Sequence, residues 1–256
     1  MTRDNIRRMI QREERDGIVT LRLAHGKASA LDIELTSALD EALGEARDAR
    51  AVILTGTGSI FSAGVDLFRL TKEGSGYAQR FFPVLRDMIA KMFVFPAPLV
   101  CAVNGHAIAG GCIFACASDY KLMANSGGRI GVPELLVGVP FPAAALEVVR
   151  FAVADRGIQE IVFTGRTYLP EEARAKGLID ELCEPGALMH RAEEMATQLA
   201  AIPRRAFQLA KQQLRRESVE RIERYAALAD EEALTLWSEP STHEHIRGYL
   251  EKTIKR

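Results

Sequence analysis

The sequence predicts an α/β fold, on three observations. Two short apolar runs, Ala51–Thr55 and Leu99–Val103, have the make-up of strands buried on both faces. Each is followed by a glycine-containing break and then by apolar residues at helical spacing. Beyond residue 141 the helical period prevails, and composition shifts again near residue 200.

Taken in order, Ile18–Leu23 reads as a first strand. Residues 32–48 read as an amphipathic helix with Leu35, Leu39, Ala42, Leu43 and Ala46 on one face. After the second strand, Gly56-Thr57-Gly58 breaks the chain. Residues 69–76 read as a polar loop containing Gly74 and Gly76, and residues 77–91 as a helix. Gly110 or Gly111 opens a short apolar helix to Ala117, and Tyr120–Ala124 is a strand. Helices are then predicted over 141–151, 155–164 and 187–200, with another between Pro170 and Gly177. Residues 221–237 are long and amphipathic, and Ser241-Thr242-His243-Glu244 reads as a capping box opening the last helix. This divides the chain into a core over 1–200 and a helical region over 201–256, too small to hold a strong core alone.

Composition excludes several classes. The 256 residues carry 33 basic and 34 acidic side chains, a net charge of −1, and 48% are hydrophobic. Those proportions describe a globular protein, not a disordered or low-complexity one. A near-neutral chain gives little support for nucleic-acid binding. From Met92 to Ser118 no residue carries a formal charge, counting His106 as neutral. The run is long enough for a membrane span, but prolines, Asn104 and glycines interrupt it, so a deeply buried segment is the expectation. The N-terminus is polar, with no secretory signal pattern. Cys101, Cys112, Cys116 and Cys183 lack metal-site spacing and read as buried free thiols in a cytoplasmic protein.

Familiar motifs fail. Gly56-Thr57-Gly58 is not completed to a dinucleotide fingerprint, because Phe61 stands at the third glycine position. His243-Glu244-His245 would need a histidine at Arg247 to resemble a zinc helix, and these histidines read as solvated. No metal and no separate cofactor are expected.

Two segments are more specific. Ile60-Phe61-Ser62-Ala63-Gly64-Val65-Asp66-Leu67 follows one buried strand; Ala102 to Cys112, with Asn104-Gly105-His106 and Ala109-Gly110-Gly111, leads from another into a helix. Small residues there let a ligand approach backbone N–H groups, and the first N–H groups of a helix have no internal partner. Two converging donors would stabilise an oxyanion. Together with Ala24 to Leu31, Arg129-Ile130-Gly131-Val132-Pro133-Glu134, Gly165-Arg166 and Pro170 to Asp180, these segments resemble the enoyl-CoA hydratase/isomerase (crotonase) superfamily over nearly the whole chain.

The resemblance implies a crotonase-like spiral of ββα units with a helical C-terminal trimerisation region, giving a homotrimer or a dimer of trimers. It assigns the N–H groups of Ala63 and Gly110 to the thioester oxygen of an acyl-CoA, so that coenzyme A enters only as part of the substrate. Family hydratases use two carboxylates. Here one is present as Glu134, and the other position is Ile113. A single carboxylate suits the Δ3,Δ2-enoyl-CoA isomerases, in which one glutamate moves a proton from C2 to C4. The alternatives are a hydratase or hydrolase using a recruited group (Asp66, Tyr77, Asp87 or His106), or a non-catalytic binder of acyl-CoA or RNA. By the same resemblance Lys27, Ala28 and Ala30 hold the nucleotide end, helped by the Ala63 to Leu67 loop, and Ser62, Asp66, Leu67, Gly111 and Ile113 are further substrate-binding candidates. Tyr249 and Lys252 match positions that a neighbouring subunit commonly contributes. The acyl wall is expected from Phe68, Leu70, Phe82, Leu85, Phe114, Leu136 and Phe141. The basic residues Arg204, Arg205, Lys211, Arg215 and Arg216 read as a solvated helix face or a contact to CoA phosphates.

Overall fold

The computed structural model describes residues 8–254. The chain enters on β1 (Ile10–Arg15), paired antiparallel with β2 (Ile18–Leu23). The predicted first strand is therefore the second. β1 carries no alternating pattern, because Ile10 is buried and the five residues after it are all exposed. Next come α1 (Ile33–Glu45), β3 (Ala51–Thr55) and β4 (Ile60–Ser62). Asp32 starts α1 by accepting the Leu35 N–H on Oδ1 at 2.7 Å.

The segment expected as a polar loop is helical. α2 (Leu67–Glu73) starts at Asp66, whose Oδ1 accepts the Arg69 N–H at 2.9 Å. Gly74, at φ 74°, is the joint into α3 (Ser75–Phe93). Leu70 is the only fully covered side chain of α2, too little for a periodic signal.

The chain continues through β5 (Leu99–Val103), β6 (His106–Ile108), α4 (Gly110–Ala117), β7 (Tyr120–Ala124), β8 (Ile130–Gly131) and α5 (Glu134–Val137). It then forms α6 (Ala143–Val153), α7 (Asp155–Thr164), β9 (Thr167–Tyr168), α8 (Pro170–Ala175), β10 (Glu181–Cys183) and α9 (Leu188–Ala200). Two long helices finish it, α10 (Arg204–Ser238) and α11 (Pro240–Ile254).

The strands form two sheets, β1-β2-β3-β5-β7-β10 and β4-β6-β8-β9. Successive strands step from one sheet to the other, β3 to β4, β5 to β6 and β7 to β8, so the chain winds as a spiral of ββα turns. β3 is buried on both sides as its composition requires. Val52 and Leu54 join the main core, while Ala51 and Ile53 meet Leu188, Ala192 and Met195 of α9. The uncharged stretch is mostly buried, Val94 being its exposed exception, and among the described residues no helix is long and apolar enough to cross a membrane. All four cysteines are buried free thiols.

The C-terminal helices differ most from expectation. The predicted 221–237 helix is the second half of α10, which packs on α3 and α6. Its basic stretch is not uniformly solvated. Lys211 and Arg215 are buried and both bond Asp119: Lys211 Nζ lies 2.8 Å from Oδ2, and Arg215 Nη2 lies 3.0 Å from Oδ1. The last helix begins at Pro240, and Ser241 Oγ donates to Glu239 Oε2 at 3.1 Å instead of capping a backbone N–H. His243 is buried with Nε2 2.8 Å from the Trp237 carbonyl, and His245 Nε2 is 3.1 Å from the Leu136 carbonyl. His243 is therefore not the solvated side chain its charged surroundings suggested, whereas His245 is exposed as expected.

Candidate active site

Three segments converge where the two sheets meet. The Leu31 N–H donates to the Gly64 carbonyl at 2.7 Å, and the Asp66 N–H to the Leu31 carbonyl at 3.0 Å. Gly64, at φ 79°, lies so close to the β6–α4 turn that a Cβ would sit 2.6 Å from the Ile108 carbonyl oxygen. A Cβ on Gly111 would meet the Ser62 carbonyl oxygen at 2.6 Å, and one on Gly110 would meet Leu31 Cδ1 at 2.5 Å. The glycines therefore bring the Ala63 loop against the first turn of α4.

Ala109, just before that turn, has φ 53° and ψ −122°, a conformation that L side chains rarely adopt. Ala109→Gly should relieve this strain and stabilise the fold by about 1 kcal/mol, read as a higher urea midpoint at unchanged slope. An unchanged or lower midpoint would show the turn to be unstrained.

Beside this junction lies a cavity of about 560 Å³. Lys27, Ala28, Ala30, Ala63, Asp66, Leu67, Gly110, Ile113, Glu134 and Tyr249 of the expected site all line it. Ser62 and Gly111 do not. Ser62 is buried behind the loop, donating Oγ to the Ser29 carbonyl at 2.8 Å, and Gly111 packs on Ser62. Lys252 is exposed on α11 and does not reach the cavity. Tyr249 lines the cavity of its own chain, where a neighbouring subunit was expected to supply it, and Leu250 and Thr253 of the same helix line it too.

The two expected donors are not equivalent. Gly110 opens α4, and its N–H has no acceptor within the helix. The Ala63 N–H already donates to the Ala28 carbonyl at 3.0 Å, so it is not a free donor as expected. A ligand oxygen must share or displace that bond.

Glu134, the first residue of α5, is 7% exposed, and its buried Oε2 has no hydrogen-bond partner. Burial among apolar neighbours pushes its pKa up to about 8. The other carboxyl in the lining, Asp66, is used as the α2 cap. Ile113 is 3% exposed and adds only hydrocarbon to the wall.

The remaining candidates for a recruited group lie outside the cavity. Tyr77 is fully buried, its hydroxyl accepts the Ile33 N–H at 3.2 Å, and burial pushes its pKa up to about 12. Asp87 pairs with Arg86 on the surface. His106 Nδ1 accepts the Arg129 N–H at 3.2 Å. Among the described residues no group of His, Cys, Asp and Glu is placed to hold a metal ion.

The apolar wall is largely corrected. Of the seven residues expected there, Phe68 and Leu85 line the cavity. Leu70 and Phe114 are spent in the core, Leu136 is exposed, Phe82 packs edge-on against Trp237 with ring centroids 5.5 Å apart, and Phe141 packs on the core. Ile89, Val137, Val139, Ala145, Trp237 and Leu250 supply the wall instead. They come from five helices and a loop, so no local pattern groups them; the single tryptophan was the one signal available.

The family profile described as "Enoyl-CoA hydratase/isomerase" matches residues 13–255. A putative enoyl-CoA hydratase of Thermus thermophilus is 34% identical over 186 residues, 71% of this chain and 72% of that protein. Enoyl-CoA delta isomerase 1 of Rattus norvegicus is 25% identical over 253 residues, 97% of this chain and 88% of that protein. The human mitochondrial delta3-delta2-enoyl-CoA isomerase structure shares the fold, with a TM-score of 0.91, 23% identity, and coverage of 96% of this chain and 98% of that one. The profile match, the two-sheet spiral and the junction of Ala63 with Gly110 agree: this chain is an enzyme of the enoyl-CoA hydratase/isomerase family, in the crotonase superfamily.

Proposed function

We propose that the protein is a Δ3,Δ2-enoyl-CoA isomerase with Glu134 as its single acid/base. The observation that carries this reading is the pairing of a buried Glu134, whose Oε2 has no hydrogen-bond partner, with Ile113 at the other carboxylate position. The thioester oxygen takes the Gly110 N–H and, in exchange for the Ala28 carbonyl, the Ala63 N–H. Charge that develops on that oxygen is then stabilised, and the C2 proton becomes acidic. The Glu134 carboxylate removes the C2 proton, the electrons spread over a dienolate, and the same carboxyl returns the proton at C4. The double bond moves from C3=C4 to C2=C3 with no net change in composition. An apolar wall favours this route, because a dienolate screened from water reprotonates only from Glu134.

Hydration needs a water that is both oriented and deprotonated, and Ile113 does neither. The hydratase reading is favoured by the names of relatives, the Thermus protein among them, but the other carboxyl in the lining, Asp66, is engaged as the α2 cap. Coenzyme A is proposed as part of the substrate only, the cytoplasm as the compartment, and a homotrimer or dimer of trimers as the assembly.

The test is a panel of 3-enoyl- and 2-enoyl-CoA thioesters in isotopically labelled water. The expected result is conversion of 3-enoyl to 2-enoyl thioesters, with 2-enoyl thioesters gaining no labelled hydroxyl. Labelled 3-hydroxyacyl product at a comparable rate would overturn the proposal in favour of a hydratase.

A further inference from the structure

The cavity lining is graded in depth. Phe68 is 60% exposed at the rim, whereas Leu85, Ile89, Val137, Val139 and Trp237 are each 5% exposed or less while still lining the space. These deep residues are hydrocarbon or aromatic, and the polar backbone of the Lys27–Ala30 loop lies elsewhere in the wall. Of the deep group, Trp237 is the largest and the most firmly held. Its indole N–H donates to the Pro140 carbonyl at 2.9 Å, Phe82 packs edge-on against its ring, and its own carbonyl meets His243 Nε2 at 2.8 Å. A ring held by its own hydrogen bond and by an edge-on neighbour does not swing aside to admit a longer chain.

We propose that Trp237 is the floor of the acyl pocket and sets the longest chain accepted. This rests on the acyl-CoA reading above. Each methylene that enters the apolar space should tighten binding about fourfold, until the chain end meets the indole. Beyond that length a further methylene must either distort the core or remain in water.

The experiment is calorimetric titration of the full chain with saturated acyl-CoAs from butanoyl to hexadecanoyl, which bind without turning over. For the wild type, affinity should rise with chain length and then stop rising at a definite break. Trp237→Leu should move the break to longer chains, the first chain refused by the wild type gaining about fourfold per methylene now buried. Trp237→Phe keeps an aromatic ring if the leucine variant does not fold, and should move the break the same way by less. Ala145→Leu narrows the same space from α6, and should move the break to shorter chains, with a loss of roughly tenfold or more for the longest chain the wild type accepts. A generally loosened protein would not produce shifts of opposite sign. A break that stays at one length in the folded Trp237 variants overturns the role of the indole. A wild type that binds every acyl-CoA no better than coenzyme A itself overturns the acyl-CoA reading beneath it.

Discussion

Glu134→Gln should lower kcat/KM on a 3-enoyl-CoA by about 10²–10⁴-fold and, above neutral pH, make the protein more stable than the wild type. Both effects come from one observation, a buried carboxyl whose Oε2 has no hydrogen-bond partner. As a base it must be unprotonated, so the wild-type kcat/KM should climb as pH rises through about 8 and then level. The stability effect has the opposite sense. The folded state keeps the proton up to about 8, while the unfolded chain releases it near 4.5. Between those values the folded state binds more protons, so stability falls as pH rises. At about 1.4 kcal/mol per pH unit the wild type loses on the order of 5 kcal/mol across that window. Glutamine has no proton to lose and escapes the fall, although its buried amide costs about 1–3 kcal/mol if unbonded. Urea melts at pH 5 and pH 9 should therefore show the variant gaining on the wild type as pH rises. Parallel curves, or an activity unchanged by the substitution, would remove Glu134 from the chemistry.

Asp119→Asn should cost about 3–5 kcal/mol of folding stability. Asp119 holds α10 to the sheets. Its carboxylate meets the Lys211 ammonium, the Arg215 guanidinium and the Leu99 N–H, the last at 2.8 Å. Arg215 also donates to the carbonyls of Phe93, Ala117 and Ser118, and Lys211 to that of Phe95 at 2.7 Å. Burial already lowers the Lys211 pKa to about 8, even with Asp119 opposing the shift. Without the carboxylate two cations remain buried with no counter-charge. Adding Lys211→Met removes one of them, so the double variant should regain part of the loss. Urea midpoints for the single and double variants measure this. A loss within about 0.5 kcal/mol for Asp119→Asn would mean that the cluster is merely tolerated.

Asp119 and Lys211 also mark how far sequence alone reaches. β3 and β5 were legible because strands covered on both faces must be apolar throughout. The Ala63 and Gly110 turns were legible because close backbone approach demands small residues. Both are local rules. The pairing of Lys211 with Asp119 is not local, and a basic residue at helical spacing looks the same whether it meets water or a buried carboxylate. β1 escaped notice for the converse reason, since an edge strand with one buried side chain has no pattern to show. Glu134 was identified by resemblance. That an apolar wall with Ile113 in it raises the pKa of a nearby carboxylate also follows from the sequence; that Oε2 lacks a partner depended on the three-dimensional surroundings. The apolar wall failed as a prediction because large hydrophobic residues near the motif were assumed to face the ligand. Leu70 and Phe114 instead fill the core, and the space is bounded by Trp237 and Leu250 from the far end of the chain.

That boundary links the cavity to the order of folding. Its wall joins His25 and Lys27, soon after β2, to Leu250 and Thr253 in α11. Closing so long a loop carries an entropic cost that local contacts do not. A partly folded chain with both sheets formed but α11 undocked would have an open trough where the native protein has a pocket. Any ligand that needs the closed pocket then recognises only the finished molecule, and by mass action draws folding to completion.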